Sequence, residues 1–134
     1  MLLKLENLSI SFSNEGKNLF ELKDISYSVQ RGKCLGIVGE SGSGKSLSSL
    51  ALMGLLPKKA ILVSGNSQFS FDDTTVDLLS LKESQIREIR GNKISMIFQE
   101  PMTSLNPVLT CGYQVAEVME THLNQNHKEG KKNT

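Results

Sequence analysis

Eight consecutive residues of this sequence have the types and spacing needed to hold a chain of phosphates. Residues 39–46 read GESGSGKS and match the pattern G-x-x-x-x-G-K-[ST] at every fixed position. The glycines allow a tight turn whose backbone N–H groups point at phosphate oxygens, and a following helix adds the positive end of its dipole. Lys45 is placed to reach the β- and γ-phosphates, and the Ser46 hydroxyl is placed to ligate Mg²⁺. The predicted nucleotide-binding residues are Gly39, Glu40, Ser41, Gly42, Ser43, Gly44, Lys45 and Ser46.

A strand before this loop and a helix after it are needed to position it. Residues 34–38 form a short, continuous apolar run, which predicts a central strand covered on both faces. After the loop, apolar residues recur at helical spacing until Pro57, which is expected to stop the helix. The residues that share this helical face are Leu47, Leu50, Ala51, Gly54 and Leu55. The loop alone does not distinguish transporter ATPases from GTPases or small-molecule kinases.

Three further segments have the alternation of half-buried strands. Residues 2–12 and 19–29 predict an antiparallel pair, and a slip in the alternation near Asn7 predicts a bulge. Residues 60–71 predict a strand interrupted by a turn at residues 64–66.

The next part of the chain predicts a short helix and a second buried strand. Ser80 and Glu83 have the spacing of a capping box, and Gly91 stands where a helix would end, so a helix is expected over residues 81–90. Residues 94–98 then predict another buried strand. Strand, glycine loop, helix and strand in succession predict an α/β core with a parallel sheet.

Charge and hydropathy argue against several kinds of partner. The net charge is +1 and the charges are interspersed, so no basic face for nucleic acid is expected. Residues 1–7 lack the apolar stretch of a secretory signal. The longest nearly apolar window, residues 50–56, is far shorter than the about 20 residues of a membrane-spanning helix, so any membrane association is expected through a partner. Cys34 and Cys111 have no metal-ligand spacing and are expected to be reduced, structural thiols.

The segment that selects a family is residues 97–107, IFQEPMTSLNP, in which a predicted strand ends at Gln99 and a proline-bounded loop follows. This segment resembles the Q-loop of ABC-transporter ATPases. Together with Gly112, Gln114, Glu117 and His122 at matching intervals, it is similar to the branch serving dipeptide, oligopeptide and nickel importers. The resemblance covers residues 3 to about 122. No guanine-reading N-K-x-D and no arginine-rich lid of a kinase accompanies it.

The resemblance implies a fold class of α/β type, a P-loop NTPase core with an amino-terminal antiparallel β-subdomain. Residues 1–122 would be a partial ABC ATPase nucleotide-binding domain with its β-subdomain, P-loop and Q-loop. Residues 123–134 would be a flexible polar tail. The core is expected to be incomplete, because in this family further strands lie between the P-loop strand and the Q-loop strand.

The resemblance also assigns roles to two residues outside the P-loop. Phe12 falls where the family stacks an aromatic ring on adenine, although a core phenylalanine is the alternative. Gln99 would position the attacking water and contact Mg²⁺, because its amide oxygen can meet a cation without carrying charge. The expected metal ligands are therefore Ser46 and Gln99, and the expected cofactors are ATP and Mg²⁺.

In function, the resemblance implies an ATP-binding subunit that couples ATP binding and hydrolysis to uptake of short peptides. The expected partners are membrane permease subunits, reached through the loop after Gln99, and a second ATPase subunit in a homo- or heterodimer. No nucleic-acid partner is expected. The expected location is peripheral, at the cytoplasmic face of the cell membrane. Nickel or another small solute is the alternative cargo.

The family's signature loop, acidic Walker B strand and switch histidine are not found in the sequence, so negligible turnover is expected for this chain alone. A catalytically inactive nucleotide-binding module is therefore the alternative function. A truncated product, one part of a split subunit and a partial sequence all remain open as reasons.

Overall fold

A computed structural model describes residues 1–14, 17–98 and 105–123. The chain divides into two compact units, Met1–Ile86 and Arg87–Thr134. The elements follow in the order β1 (Leu3–Asn14), β2 (Lys17–Val29), α1 (Lys45–Leu52), β3 (Ala60–Phe71), β4 (Thr74–Val76), α2 (Glu83–Ile89) and α3 (Cys111–Leu123). The four strands form one sheet in the order β2-β1-β3-β4, and every neighbouring pair is antiparallel.

The hairpin of β1 and β2 is the predicted antiparallel pair, with Leu3 opposite Val29. Its register shifts around Asn7, as the broken alternation predicted. Asn7 has a φ of 50°, and its N–H donates to the Ser26 hydroxyl at 2.9 Å instead of to the ladder. The predicted bulge is therefore confirmed, and a side chain satisfies the amide that the bulge takes out of the ladder.

The strand β3 runs without interruption, so the predicted turn at residues 64–66 is wrong. Ser64 and Asn66 both pair with β1, on either side of a register shift. Gly65 has a φ of 143°, and a Cβ there would lie 3.1 Å from the Leu8 Cα. Glycine thus serves a close approach of two strands at a bulge, which a sequence pattern does not distinguish from a turn.

The connection from β3 to β4 uses Asp72 and Asp73, whose φ values are 43° and 61°. Positive φ at both central residues is what a two-residue hairpin turn of type I′ requires, and aspartate tolerates it better than most residues. Just after β4, Asp77 accepts hydrogen bonds from the N–H of Ser67 at 2.9 Å and the hydroxyl of Ser67 at 2.7 Å. This part-buried contact ties the segment after β4 back to β3.

The core of the first unit lies against this sheet. Its buried apolar side chains come from β1, β2 and β3, from α1 and from the segment before α2. They include Leu5, Leu8, Ile10, Leu22, Ala51, Leu52, Phe69 and Leu78.

The helix α1 ends earlier than predicted, and Gly54 ends it rather than Pro57. Gly54 has a φ of 62°, its N–H donates to the Ala51 carbonyl at 3.0 Å, and the Leu55 N–H donates to the Leu50 carbonyl at 2.8 Å. This is the paired hydrogen bonding of a Schellman ending, which needs a left-handed residue just past the helix. Gly54 and Leu55 keep the apolar helical spacing, but neither residue is part of the helix.

The helix α2 lies within the predicted range, residues 81–90, but Ser80 is not its cap. The Ser80 hydroxyl donates to the Asp77 carbonyl at 3.0 Å and does not cap the helix. The side chain of Gln85 instead accepts from the Lys82 N–H at 3.0 Å, the reciprocal half of a capping box shifted by two residues. Gly91, with a φ of 76°, follows the helix as predicted.

The two predicted buried strands, residues 34–38 and 94–98, are not strands in the part of the chain that the structure describes. Val38 is 96% exposed and Ile97 is 94% exposed, and Ile94 makes a single isolated bridge to Arg90. A strand requires a hydrogen-bonded neighbour, and no described strand pairs with either run. The described sheet is antiparallel, so the predicted parallel sheet is not seen in it. Cys34 and Cys111 are free and exposed, so neither thiol packs in a core.

Candidate phosphate-binding site

The glycine-rich loop is positioned by contact with β2 and by the first turn of α1. Gly44, the residue before the helix, is buried and has a φ of 90°. A Cβ at this position would lie 2.5 Å from the Leu22 Cδ1. Both the conformation and the space therefore require glycine. Gly42 also has a positive φ, 82°, but open space surrounds the position of its absent side chain.

The side chain of Lys45 turns back into the loop that precedes it. Its ammonium donates to the Gly39 carbonyl at 2.7 Å, to the Glu40 carbonyl and to the Ser43 hydroxyl at 3.2 Å. An ammonium has three donors, and all three are used within the loop. The positive charge is therefore held at the centre of the loop, where a polyphosphate would meet it.

The backbone N–H groups of the loop are largely available. Ser43 donates to the Glu40 carbonyl at 3.2 Å. Within residues 1–14, 17–98 and 105–123, no backbone acceptor is found for the amides of Gly42, Gly44, Lys45 and Ser46. Amides at the start of an eight-residue helix, next to an ammonium, form an electropositive cradle for an anion. The Ser46 side chain is exposed in the first turn of α1, which suits a hydroxyl that binds a metal ion together with a nucleotide.

The first turn of α1 is anchored by a contact that the sequence did not reveal. Tyr27 on β2 donates its hydroxyl to Ser48 at 3.4 Å, and the Ser48 hydroxyl donates to the Lys45 carbonyl at 2.9 Å. Ser48 is buried. The partners Tyr27 and Ser48 are 21 residues apart in the chain, so no local pattern could have indicated this contact.

A cavity of about 240 Å³ lies between the loop and β2. Its walls include Leu22, Ile25 and Tyr27 from β2, together with Ile37 and Val38 before the loop. The remaining lining residues are Gly39, Ser43, Gly44 and Lys45 of the loop and Ser48 of α1. The cavity therefore has an apolar wall on one side and the candidate phosphate-binding residues on the other.

Phe12 and Gln99 were predicted to complete the site. Phe12 is half-buried on β1 and lies two residues beyond Ile10, which is paired with Leu22, the residue that contacts Gly44. By strand alternation Phe12 and Ile10 share a face of the sheet. Gln99 lies outside the described residues, as does most of the loop that follows it. The structure therefore places Phe12 on the strand neighbouring the loop's contact and leaves the role of Gln99 a prediction.

A comparison with known protein families matches residues 22–133 of this chain to the ABC transporter family. The chain belongs to the ABC transporter family. The match includes the whole candidate phosphate-binding loop and the segment around Gln99, and it confirms the resemblance carried by those motifs.

Among individual relatives of this ABC transporter chain are glutathione import ATP-binding proteins named GsiA. The chain is 44% identical over 129 residues to the one from Escherichia coli O1:K1 / APEC. It is 45% identical over 130 residues to the one from Shigella flexneri serotype 5b (strain 8401). It is 43% identical over 129 residues to the one from Escherichia coli (strain K12). Each match covers 95% of this chain and 21% of the relative, so the chain spans about a fifth of the length of these proteins.

The helices of this ABC transporter chain are short. None of those in the described residues is both long enough and apolar enough to cross a bilayer.

Proposed function

We propose that this chain binds Mg-ATP through residues 39–46. The observation that supports this most strongly is the arrangement of Lys45, with its ammonium inside the loop and free amides beside it at the start of α1. Phosphate oxygens are stronger acceptors for an ammonium than backbone carbonyls are. On binding, Lys45 would exchange some of its bonds to the loop for bonds to the β- and γ-phosphates.

The residues of the loop also fit a magnesium ion. We infer that the Ser46 hydroxyl is its protein ligand in the loop, because this side chain is exposed next to the free amides. The ion would neutralise charge on the β- and γ-phosphates. Gln99 is proposed as the second protein contact to the ion and to the attacking water, on the strength of the family match alone.

The adenine ring is assigned to Phe12. This assignment is supported by the position of Phe12 on the face of β1 shared with Ile10, one strand step from the pairing with Leu22. A half-buried ring can offer one face for stacking while the rest of the ring stays packed.

For the whole protein, we propose an ATP-binding subunit of an importer of short peptides. Support comes from the family and from relatives named for glutathione import, since glutathione is a tripeptide. The proposed partners are membrane permease subunits, which would contact the loop after Gln99, and a second ATPase subunit. The subunit would then lie peripherally at the cytoplasmic face of the membrane.

The exposed apolar runs, residues 34–38 and 94–98, are proposed to be sheet strands of a larger ATPase core. Their exposure supports this, because such runs are normally covered on both faces. The relatives are about five times as long as this chain, so the covering strands can come from sequence that this chain does not contain.

Titration of the purified chain with Mg-ATP tests the binding proposal. Lys45→Ala is expected to weaken binding by about 10- to 100-fold, which corresponds to the loss of ~1.5–3 kcal/mol in charged hydrogen bonds. Lys59→Ala is the matched control, because Lys59 is an exposed lysine outside the loop. Far-ultraviolet circular dichroism must show that both variants keep the fold. Equal affinities in the wild type and Lys45→Ala would disprove the assignment.

A further inference from the structure

The side chain of Gln114, in the first part of α3, ties down the segment that leads into that helix. Its Oε1 accepts a hydrogen bond from the Asn106 N–H at 2.8 Å. Its Nε2 donates to the Asn106 carbonyl at 3.1 Å and to the Leu109 carbonyl at 3.1 Å. The amide of one neutral side chain thus bonds to both backbone polar groups of Asn106 and to a second carbonyl three residues further on.

The segment also has two hydrogen bonds of its own. The Asn106 side chain accepts from the Val108 N–H at 3.1 Å, and the Leu109 N–H donates to the Asn106 carbonyl at 3.1 Å. These bonds close a local turn over residues 106–109 but connect it to nothing else. The three hydrogen bonds of Gln114 join this turn to α3, so its removal would loosen the turn relative to the helix.

The turn carries apolar side chains that face solvent. Val108 is 84% exposed, and Leu105 and Leu109 are also exposed. Gln114, by contrast, is half-buried. These adjacent apolar side chains are therefore available to contact another protein.

We propose that Gln114 is a positioning residue that holds residues 105–109 in the conformation in which they meet the membrane permease. This inference rests on the proposed function, in which the loop after Gln99 contacts the permease. A turn fixed before binding loses less conformational entropy when the partner arrives. Gln114 would therefore affect coupling to the permease and leave nucleotide binding unchanged.

The test uses the full-length subunit with its permease in lipid vesicles, and measures ATP hydrolysis with and without the permease. Gln114→Ala is expected to lower permease-stimulated hydrolysis about fivefold, the factor corresponding to one net hydrogen bond. Mg-ATP affinity and hydrolysis without permease should stay within about twofold of the wild type. A change of that size is smaller than the effect of losing one net hydrogen bond. Gln114→Glu has the same size and can accept from Asn106, but its carboxylate cannot donate, so it should fail as Gln114→Ala does. Glu117→Gln, an exposed change on the same helix, is the matched control and should behave as the wild type does.

Three results would overturn the inference. Unchanged stimulation in Gln114→Ala would show that the turn needs no such support. Full stimulation in Gln114→Glu would show that size matters and the donated bonds do not. Loss of stimulated and unstimulated hydrolysis together would assign Gln114 a general role in folding. None of these results bears on Lys45, so the binding proposal stands or fails separately.

Discussion

Two loops of this chain are each held by one long side chain that reaches back from the following helix. Residues 39–44 are held by Lys45 and residues 106–109 by Gln114, and each side chain makes three hydrogen bonds. Lys45 is charged and only donates, whereas the Gln114 amide is neutral and both donates and accepts. The first loop also packs on β2 through Gly44 and Leu22.

The difference shows which contact a ligand can replace. The carbonyls that hold the Lys45 ammonium are neutral acceptors, so an anion can displace them and gain charge-assisted bonds. The bonds of Gln114 pair neutral donors with neutral acceptors, and an incoming phosphate would gain nothing by breaking them. The first loop is therefore suited to change partners on binding nucleotide, and the second is suited to keep its shape.

The largest expected effect is on stability, at the contact between the first loop and β2. Gly44→Ala should destabilise the chain by about 2–4 kcal/mol, because positive φ strains alanine and its Cβ would overlap Leu22. Gly42→Ala is the matched control, since it has the strain but open space, and should cost about 1 kcal/mol. Urea unfolding measures both. Equal losses would mean that the contact with β2 contributes nothing.

The next effect separates the two side chains by their response to nucleotide. In the purified chain, Lys45→Ala should weaken Mg-ATP binding about 10- to 100-fold. Gln114→Ala should change it less than about twofold, because no phosphate contact is lost. Isothermal titration of the two variants side by side measures the contrast. Similar losses in both would remove the distinction between a replaceable contact and a permanent one.

A smaller effect is expected for the metal. Ser46→Ala should reduce the gain in ATP affinity that Mg²⁺ provides by about fivefold, because one oxygen ligand to the ion is lost. Ser41→Ala, also an exposed serine of the loop, is the control and should keep the gain. Titrations with and without Mg²⁺ give the ratio. An unchanged ratio in Ser46→Ala would exclude Ser46 as a metal ligand.

The smallest effect concerns the helix behind the second loop. The Thr110 hydroxyl accepts from the Tyr113 N–H at 3.3 Å and caps the start of α3. Thr110→Ala should cost about 1 kcal/mol of helix stability and Thr110→Ser much less. Thermal unfolding followed by circular dichroism compares them. If Thr110→Ala also released the turn that Gln114 holds, the turn would depend on the cap and not on Gln114.

Local patterns in the sequence were sufficient for much of the fold. The hairpin of β1 and β2, its bulge at Asn7, the loop over residues 39–46 and the glycine after α2 were all predicted, because alternation, breaks in alternation and glycine patterns are local signals. The family match likewise confirmed what the motifs around Lys45 and Gln99 indicated. Where the local signals were ambiguous, prediction failed, as for Gly65, which could mark a turn or a bulge.

The sequence alone was sufficient to predict the candidate phosphate-binding loop, because the pattern of glycines followed by lysine and serine depends only on adjacent residues. The tertiary structure decided which residues contact one another. Leu22 packs on Gly44, Tyr27 anchors Ser48, and Gln114 reaches back to Asn106. It also decided that residues 34–38 are exposed here, because an apolar run becomes a buried strand only when another strand pairs with it.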